Sequence, residues 1–206
     1  MKRAKILKEV DRGESLKQEF NKFWSDIFSI EDDYHSKIPG NKLVNLKQAT
    51  RNINNLLTYE VTLELAKQIC IMLNLSGEEE SNIIENIKKV NSNTNGYDIE
   101  YSGTKSIIAE VKCNVPINGG KLFGSAQKSA LLKDIEALTK GKNKAALKST
   151  TDYYKFLGMY DCGSSIRGAV KKLIEGLSKQ GFYNVEIYDN QKLDKDKIYI
   201  IFVEIH

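Results

Sequence analysis

Three observations predict an α/β fold with a largely helical N-terminal region. Apolar residues recur at spacings of three and four through residues 1–90, the period of a helix face. Beyond that point, short β-rich runs alternate with helix-length amphipathic stretches in the order ββαβαββ, as in a sheet flanked by helices. Between the two lies Asn91-Ser92-Asn93-Thr94-Asn95-Gly96, a loop by composition. The expected division is therefore a helical region over 1–90, packed on an α/β core over 91–206.

In the first region, Leu16, Phe20, Phe23, Trp24 and Ile27 mark one helix face. That face reads first as a core stripe and second as a dimer surface, because so much aromatic area is costly to expose. Pro39-Gly40-Asn41 interrupts the pattern. A helix follows through Val61, Leu65, Ile69 and Met72, ending at Asn74-Leu75-Ser76-Gly77. Glu78-Glu79-Glu80 suits the first turn of another helix, where carboxylates face the positive end of the dipole.

In the second region, Tyr97–Tyr101 and Ser106–Cys113 read as a hairpin about the turn Ser102-Gly103-Thr104. Helices are expected over Ser125–Lys140 and Ser165–Lys179, and strands over Tyr153–Tyr160, Val185–Tyr188 and Ile198–Ile205. The sheet should be mixed, since hairpins are antiparallel and helical crossovers parallel.

Composition narrows the chemistry. With 41% hydrophobic and 28% charged residues among 206, the chain reads as an ordinary globular protein. No apolar stretch approaches a membrane span, and no apolar core follows the basic start Met1-Lys2-Arg3, so neither membrane insertion nor a signal peptide is expected. Cys70, Cys113 and Cys162 are odd in number and widely spaced, which suits a reducing, cytoplasmic setting rather than a disulfide framework or zinc knuckle. Only His35 and His206 are present, which argues against histidine triads and histidine-rich metal sites. Carboxylates, lysine and a metal remain. The net charge of +4 permits binding to a polyanion.

The residues that fit this chemistry are Asp98 and, twelve positions on, Glu110-Val111-Lys112 at the end of the apolar run Ile107-Ile108-Ala109. Side chains alternate along a strand, so Glu110 and Lys112 share a face while Ala109 and Val111 point into packing. A carboxylate on each of two neighbouring strands makes a hard-cation site, and an adjacent ammonium could steer a water or stabilise negative charge.

This constellation resembles the PD-(D/E)XK nuclease superfamily, whose core is the restriction-endonuclease-like fold, over roughly residues 95–160. Asp98 stands at the first acid, followed by Ile99, and Glu110 and Lys112 match the (D/E)XK element; Tyr97 stands where the pattern's name has proline. The resemblance implies Mg2+, with Mn2+ able to substitute, held by Asp98, Glu110 and the carbonyl of Val111. It also implies that Lys112 positions the water or stabilises the transition state. Some members add a carboxylate from an upstream helix. Here Glu60 and Glu64 are candidates, with Glu60 preferred, although both fall opposite the Val61/Leu65/Ile69 stripe. Glu100 shares a face with Asp98 and reads as a surface residue.

Further site residues follow from position. On the helix after the motif, Ala126, Ala130, Leu131, Ile135 and Leu138 form the apolar face, with Gln127 and Asp134 in its middle. Buried polar groups must be paired, so Gln127 either reaches the catalytic site or makes a structural hydrogen bond; for Asp134 the structural bond is favoured. Lys128 is an alternative phosphate contact. Gly163-Ser164-Ser165 opens a helix with Arg167 and Lys171 on its flank. It reads first as a serine N-cap and second as a phosphate seat. Lys42, Lys47, Gln48, Arg51 and Asn52, and again Lys140, Lys142, Lys144 and Lys148, are either DNA-contacting clusters or solvated faces. The function expected from the resemblance is a Mg2+-dependent endonuclease cleaving double-stranded DNA at a specific site, a type II restriction endonuclease acting as a homodimer. The alternatives are a repair nuclease, a junction resolvase, a RecB-like exonuclease, or a non-catalytic nucleic-acid-binding or protein-interaction domain.

Overall fold

The computed structural model describes residues 11–89, 96–117, 121–142, 147, 149–179, 181 and 184–205. The chain divides into two compact units, Met1–Asn52 and Ile53–His206. The division falls inside a helix, and the expected boundary at residue 90 lies within the second unit.

In the first unit, α1 (Arg12–Phe28) starts at Asp11, whose carboxylate accepts the Gly13 and Glu14 N–H groups. It ends at Ser29, in the left-handed region. The short helix α2 (Tyr34–Lys37) is capped by Asp33. Asn21 joins the two: its Nδ2 donates to Asp33 Oδ1 at 2.8 Å, and its Oδ1 accepts the His35 N–H at 2.8 Å. Phe20 and Trp24 contact edge to face, and Trp24 stacks on Phe28. The α1 stripe is nevertheless not a core. No residue of α1 is buried, and Leu16, Phe23 and Ile27 are each more than half exposed. Within this unit, four-residue α2 is too short to cover it.

A single helix, α3 (Gly40–Met72), continues from Pro39 and runs through the division between the units. Its C-terminal half buries Val61, Leu65, Ala66, Ile69 and Cys70. Helix α4 (Gly77–Lys89) follows, with Glu78, Glu79 and Glu80 in its first turn and Ile83 and Ile87 buried.

The sheet of the second unit has five strands: β1 (Ile99–Tyr101), β2 (Ile107–Lys112), β3 (Tyr154–Tyr160), β4 (Val185–Ile187) and β5 (Ile198–Val203). Their spatial order is β1-β2-β3-β5-β4. Helix α5 (Ser125–Lys140) joins β2 to β3, and α6 (Ser164–Ser178) joins β3 to β4. The element order is the expected ββαβαββ, and the sheet is mixed. β1 pairs antiparallel with β2, and all other pairs are parallel.

Both faces of the sheet are covered. Ile107, Ala109 and Val111 of β2 join Phe156, Tyr199 and Ile201 in a core with the α3 and α4 residues. Ile108, Leu157, Met159 and Ile200 pack with Leu131, Ile135 and Leu138 of α5 and with Ile166, Val170 and Leu173 of α6. Gly158 allows α3 its close approach: a Cβ there would lie 2.6 Å from Leu65 Cδ2.

Several local expectations are corrected. β4 and β5 are joined without a helix yet pair parallel. A strand of three residues spans only about 10 Å, so residues 188–197 suffice to carry the chain back. Tyr199 tethers that return, its hydroxyl accepting the Asp194 N–H at 2.7 Å. Ala126 and Ala130 are exposed, and the inward face of α5 consists of Leu131, Ile135 and Leu138. Helix α6 is capped by Gly163 (φ 102°) without a side-chain bond, so no serine serves as the N-cap. No described helix is long and apolar enough to cross a membrane.

Candidate active site

The β1–β2 ladder pairs Ile99 with Ala109 and Glu100 with Ile108. Asp98 immediately precedes β1, and Glu110 immediately follows Ala109, the partner of Ile99. Asp98 Oδ2 accepts the backbone N–H of Val111 at 2.7 Å, which fixes the carboxylate at the strand border. Asp98, Glu110, Val111 and Lys112 line one cavity of about 580 Å3. The same cavity is bordered by Cys113 and Asn114 beyond β2, by Gly96 and Tyr97 before β1, by Lys142 after α5, and by a polar stripe of α3.

Glu110 is 4% exposed. Burial, followed by the neighbouring Asp98 carboxylate, pushes its carboxyl up to about 7 against the opposing pull of Lys142. Lys142 Nζ lies 2.5 Å from Glu110 Oε1. Lys112 Nζ turns instead to Asp134 Oδ2 on α5, at 3.0 Å. Burial alone would lower the Lys112 ammonium, but Asp134, Glu110 and Asp98 outweigh it and hold it above the usual lysine value. Among the described residues, neither Glu110 Oε1 nor Asp134 Oδ2 receives a well-aligned hydrogen bond. Both oxygens are out of water and held by charge.

Tyr97, in the position before Asp98, is buried, and its hydroxyl donates to the Ala137 carbonyl at 2.9 Å. Burial, then Glu110, pushes its phenol up to about 12, so it remains protonated. Cys113 is also pushed up by burial, which makes it a poor thiolate nucleophile.

The remaining expected site residues lie elsewhere. Gln127 belongs to the start of α5: its Oε1 accepts the Gly124 N–H and its Nε2 donates to the Val115 carbonyl, each at 2.9 Å. It is not among the cavity-lining residues. Glu60 is exposed and, with Glu64 and Lys67, lines a separate groove beside Phe202 and Glu204. Glu100 is exposed and does not line the cavity. Lys128 is exposed on α5, and Lys47 and Arg51 are exposed on the part of α3 in the first unit. Ser165 lies in the first turn of α6. Arg167 is engaged by Asp161 at 2.5 Å and Glu204 at 3.6 Å and lies over the Phe202 ring. Lys140 is exposed, whereas Lys144 and Lys148 fall outside the described residues.

Lys142, expected only as part of a basic cluster, lies instead against Glu110. Asn54, Thr58 and Thr62, not among the expected site residues, border the cavity at successive turns of α3. Their spacing of four, with Asn55 and Tyr59 alongside, was a legible signal for a polar helix face. Among the described residues, no cluster of three or more His, Cys, Asp or Glu side chains is arranged to hold a metal.

No protein-family model, no curated protein and no solved structure matches this chain.

Proposed function

We propose that this chain is a Mg2+-dependent endodeoxyribonuclease of the PD-(D/E)XK superfamily with a restriction-endonuclease-like core. In this reading it is a type II restriction endonuclease that cleaves double-stranded DNA at a specific site as a homodimer. The observation that carries the reading is that Asp98, held by the Val111 N–H just before β1, lines one cavity with Glu110 and Lys112 of β2.

The residues fit a hard cation. Two carboxylates line one cavity, close enough for Asp98 to raise the Glu110 carboxyl, and Glu110 Oε1 is a buried oxygen without an aligned donor among the described residues. A pair of carboxylates is a sufficient protein contribution for Mg2+, which retains waters. Asp98 and Glu110 would hold the ion, joined by the Val111 carbonyl that the resemblance implies. When bound, Mg2+, or Mn2+ in its place, supplies charge for the phosphoryl oxygens and acidifies a water. Asp98 is oriented for this by the Val111 N–H. Lys112, kept charged by its acidic neighbours, places a cation where negative charge develops, and Asp134 holds its ammonium. Asn54, Asn55 and Thr58, which line the same cavity, offer hydrogen bonds to a polar substrate. The exposed Lys47, Arg51 and Lys128 supply candidate phosphate contacts.

One observation favours a second reading, a non-catalytic nucleic-acid-binding or protein-interaction domain. Lys112 and Lys142 each already have a carboxylate partner, as in a purely structural polar network. Incubation of plasmid DNA with Mg2+ or Mn2+ separates the two. Cleavage by the wild type, reduced on the order of 100-fold or more in Lys112→Ala, is the expected result. Equal inertness of both proteins over a range of DNA substrates and both metals sinks the nuclease reading. Discrete fragments support restriction, end-shortening an exonuclease, and selective cutting of four-way junctions a resolvase.

A further inference from the structure

Lys142 stands two residues beyond α5. Gly141, at φ 89°, donates its N–H to the Ala137 carbonyl and turns the chain out of the helix. A side chain is strained in this left-handed region, which glycine enters without cost. The turn brings Lys142 Nζ to 2.5 Å from Glu110 Oε1, 2.5 Å from the Gly96 carbonyl oxygen and 4.8 Å from the centre of the Tyr97 ring. A carboxylate, a carbonyl and a π face thus surround one ammonium, three groups that each attract a cation. The seat is braced, because the Tyr97 hydroxyl donates to the same Ala137 carbonyl that closes the end of the helix.

The occupant is less firmly fixed than the seat. The Lys142 side chain is 24% exposed, whereas Glu110's is 5% exposed. Lysine carries its charge on a flexible four-carbon stem, and nothing in regular secondary structure holds this residue. Divalent cations bind oxygen at about 2.0–2.6 Å, so an ammonium at 2.5 Å fills the same shell of Glu110 Oε1. Two cations that close repel strongly in a partly buried site.

We propose that Lys142 is a tethered competitor for the cation site: its ammonium and a divalent cation bind Glu110 Oε1 in turn, never together. The proposal rests on the reading of Asp98 and Glu110 as cation ligands. It gives the two lysines different tasks. Lys112, backed by Asp134, stays in the site, whereas Lys142 withdraws from Glu110 and from the Tyr97 face when the divalent cation binds. Binding is thereby coupled to movement of Lys142 at the end of α5.

The test is Mn2+ binding to the full chain by isothermal titration calorimetry, with folding checked by circular dichroism. Lys142→Met should bind Mn2+ about ten- to a hundredfold more tightly than the wild type, the factor expected when one charge-assisted contact stops competing. Lys142→Arg, which keeps the charge, should stay within about threefold of the wild type. Equal or weaker binding by Lys142→Met, with the wild type binding normally, overturns the competitor alone. No binding by either protein overturns the competitor together with the cation reading. Should Lys142→Met not fold, the wild type still decides. Saturating Mg2+ should shift the Tyr97 ring resonances as the ammonium leaves its face, and unmoved resonances overturn the proposal.

Discussion

Asp98 Oδ2 accepts the Val111 backbone N–H at 2.7 Å, one residue along β2 from Glu110, with which Asp98 shares a cavity. One carboxylate therefore has two separable duties, satisfying a buried strand N–H and presenting charge to the cavity. Asp98→Asn retains an oxygen acceptor and should fold with near wild-type stability while losing divalent-cation binding. Asp98→Ala leaves the N–H without a partner and should cost a further 1–3 kcal/mol or so. Urea unfolding of the two variants beside Mn2+ titration checks the separation; equal stability of both would show that the hydrogen bond contributes nothing.

Glu110 should trade stability for function. Its carboxyl is raised from the ordinary 4.5 to about 7. The stability associated with its protonated form is therefore complete below pH 4.5 and is lost as pH rises through about 7. Glu110→Gln remains neutral throughout. Its stability relative to the wild type should grow by about 1–3 kcal/mol between pH 4.5 and pH 8, while cation binding disappears. Urea denaturation at the two pH values measures this, and a relative stability that falls with pH contradicts it.

Glu79 should act in the opposite direction. In the first turn of α4 it accepts the Thr104 hydroxyl at 2.5 Å and the Ser76 N–H at 3.1 Å, joining α4 to the β1–β2 turn. The Thr104 hydroxyl first, and then the Ser76 N–H, hold its carboxyl down to about 2. Its contribution is present above the ordinary 4.5 and is lost as pH falls through about 2. Glu79→Gln should therefore move the acid-unfolding midpoint, followed by far-ultraviolet circular dichroism, to higher pH. An unchanged midpoint would remove Glu79 from the acid stability of the fold.

Gly158 sets how closely α3 meets the sheet. Gly158→Ala brings a Cβ to 2.6 Å from the fully buried Leu65 side chain and should cost about 1–3 kcal/mol by overpacking. Leu65→Ala alone should cost about 2–5 kcal/mol through the cavity it opens. Combined, the two should cost less than their sum, because each relieves the other. Additive losses in chemical denaturation would mean that the contact is not the constraint.

The local order of the second unit was legible in the chain itself. Strand alternation put Glu110 and Lys112 on one face, a short turn paired β1 with β2, and helix periodicity located α5 with its observed ends at Ser125 and Lys140. These features depend on residues close in sequence, whose geometry is dictated by backbone period and turn length. Only the tertiary structure decided what lies against each face. It brought Lys142 onto Glu110 and Asp134 onto Lys112. It set Asn54, Thr58 and Thr62 beside the cavity and placed Glu60 along another groove. It also made β4 and β5 parallel and left the α1 stripe without a buried residue. A sequence pattern specifies which side of an element is apolar or charged; the distant element that packs there depends on how the whole unit closes.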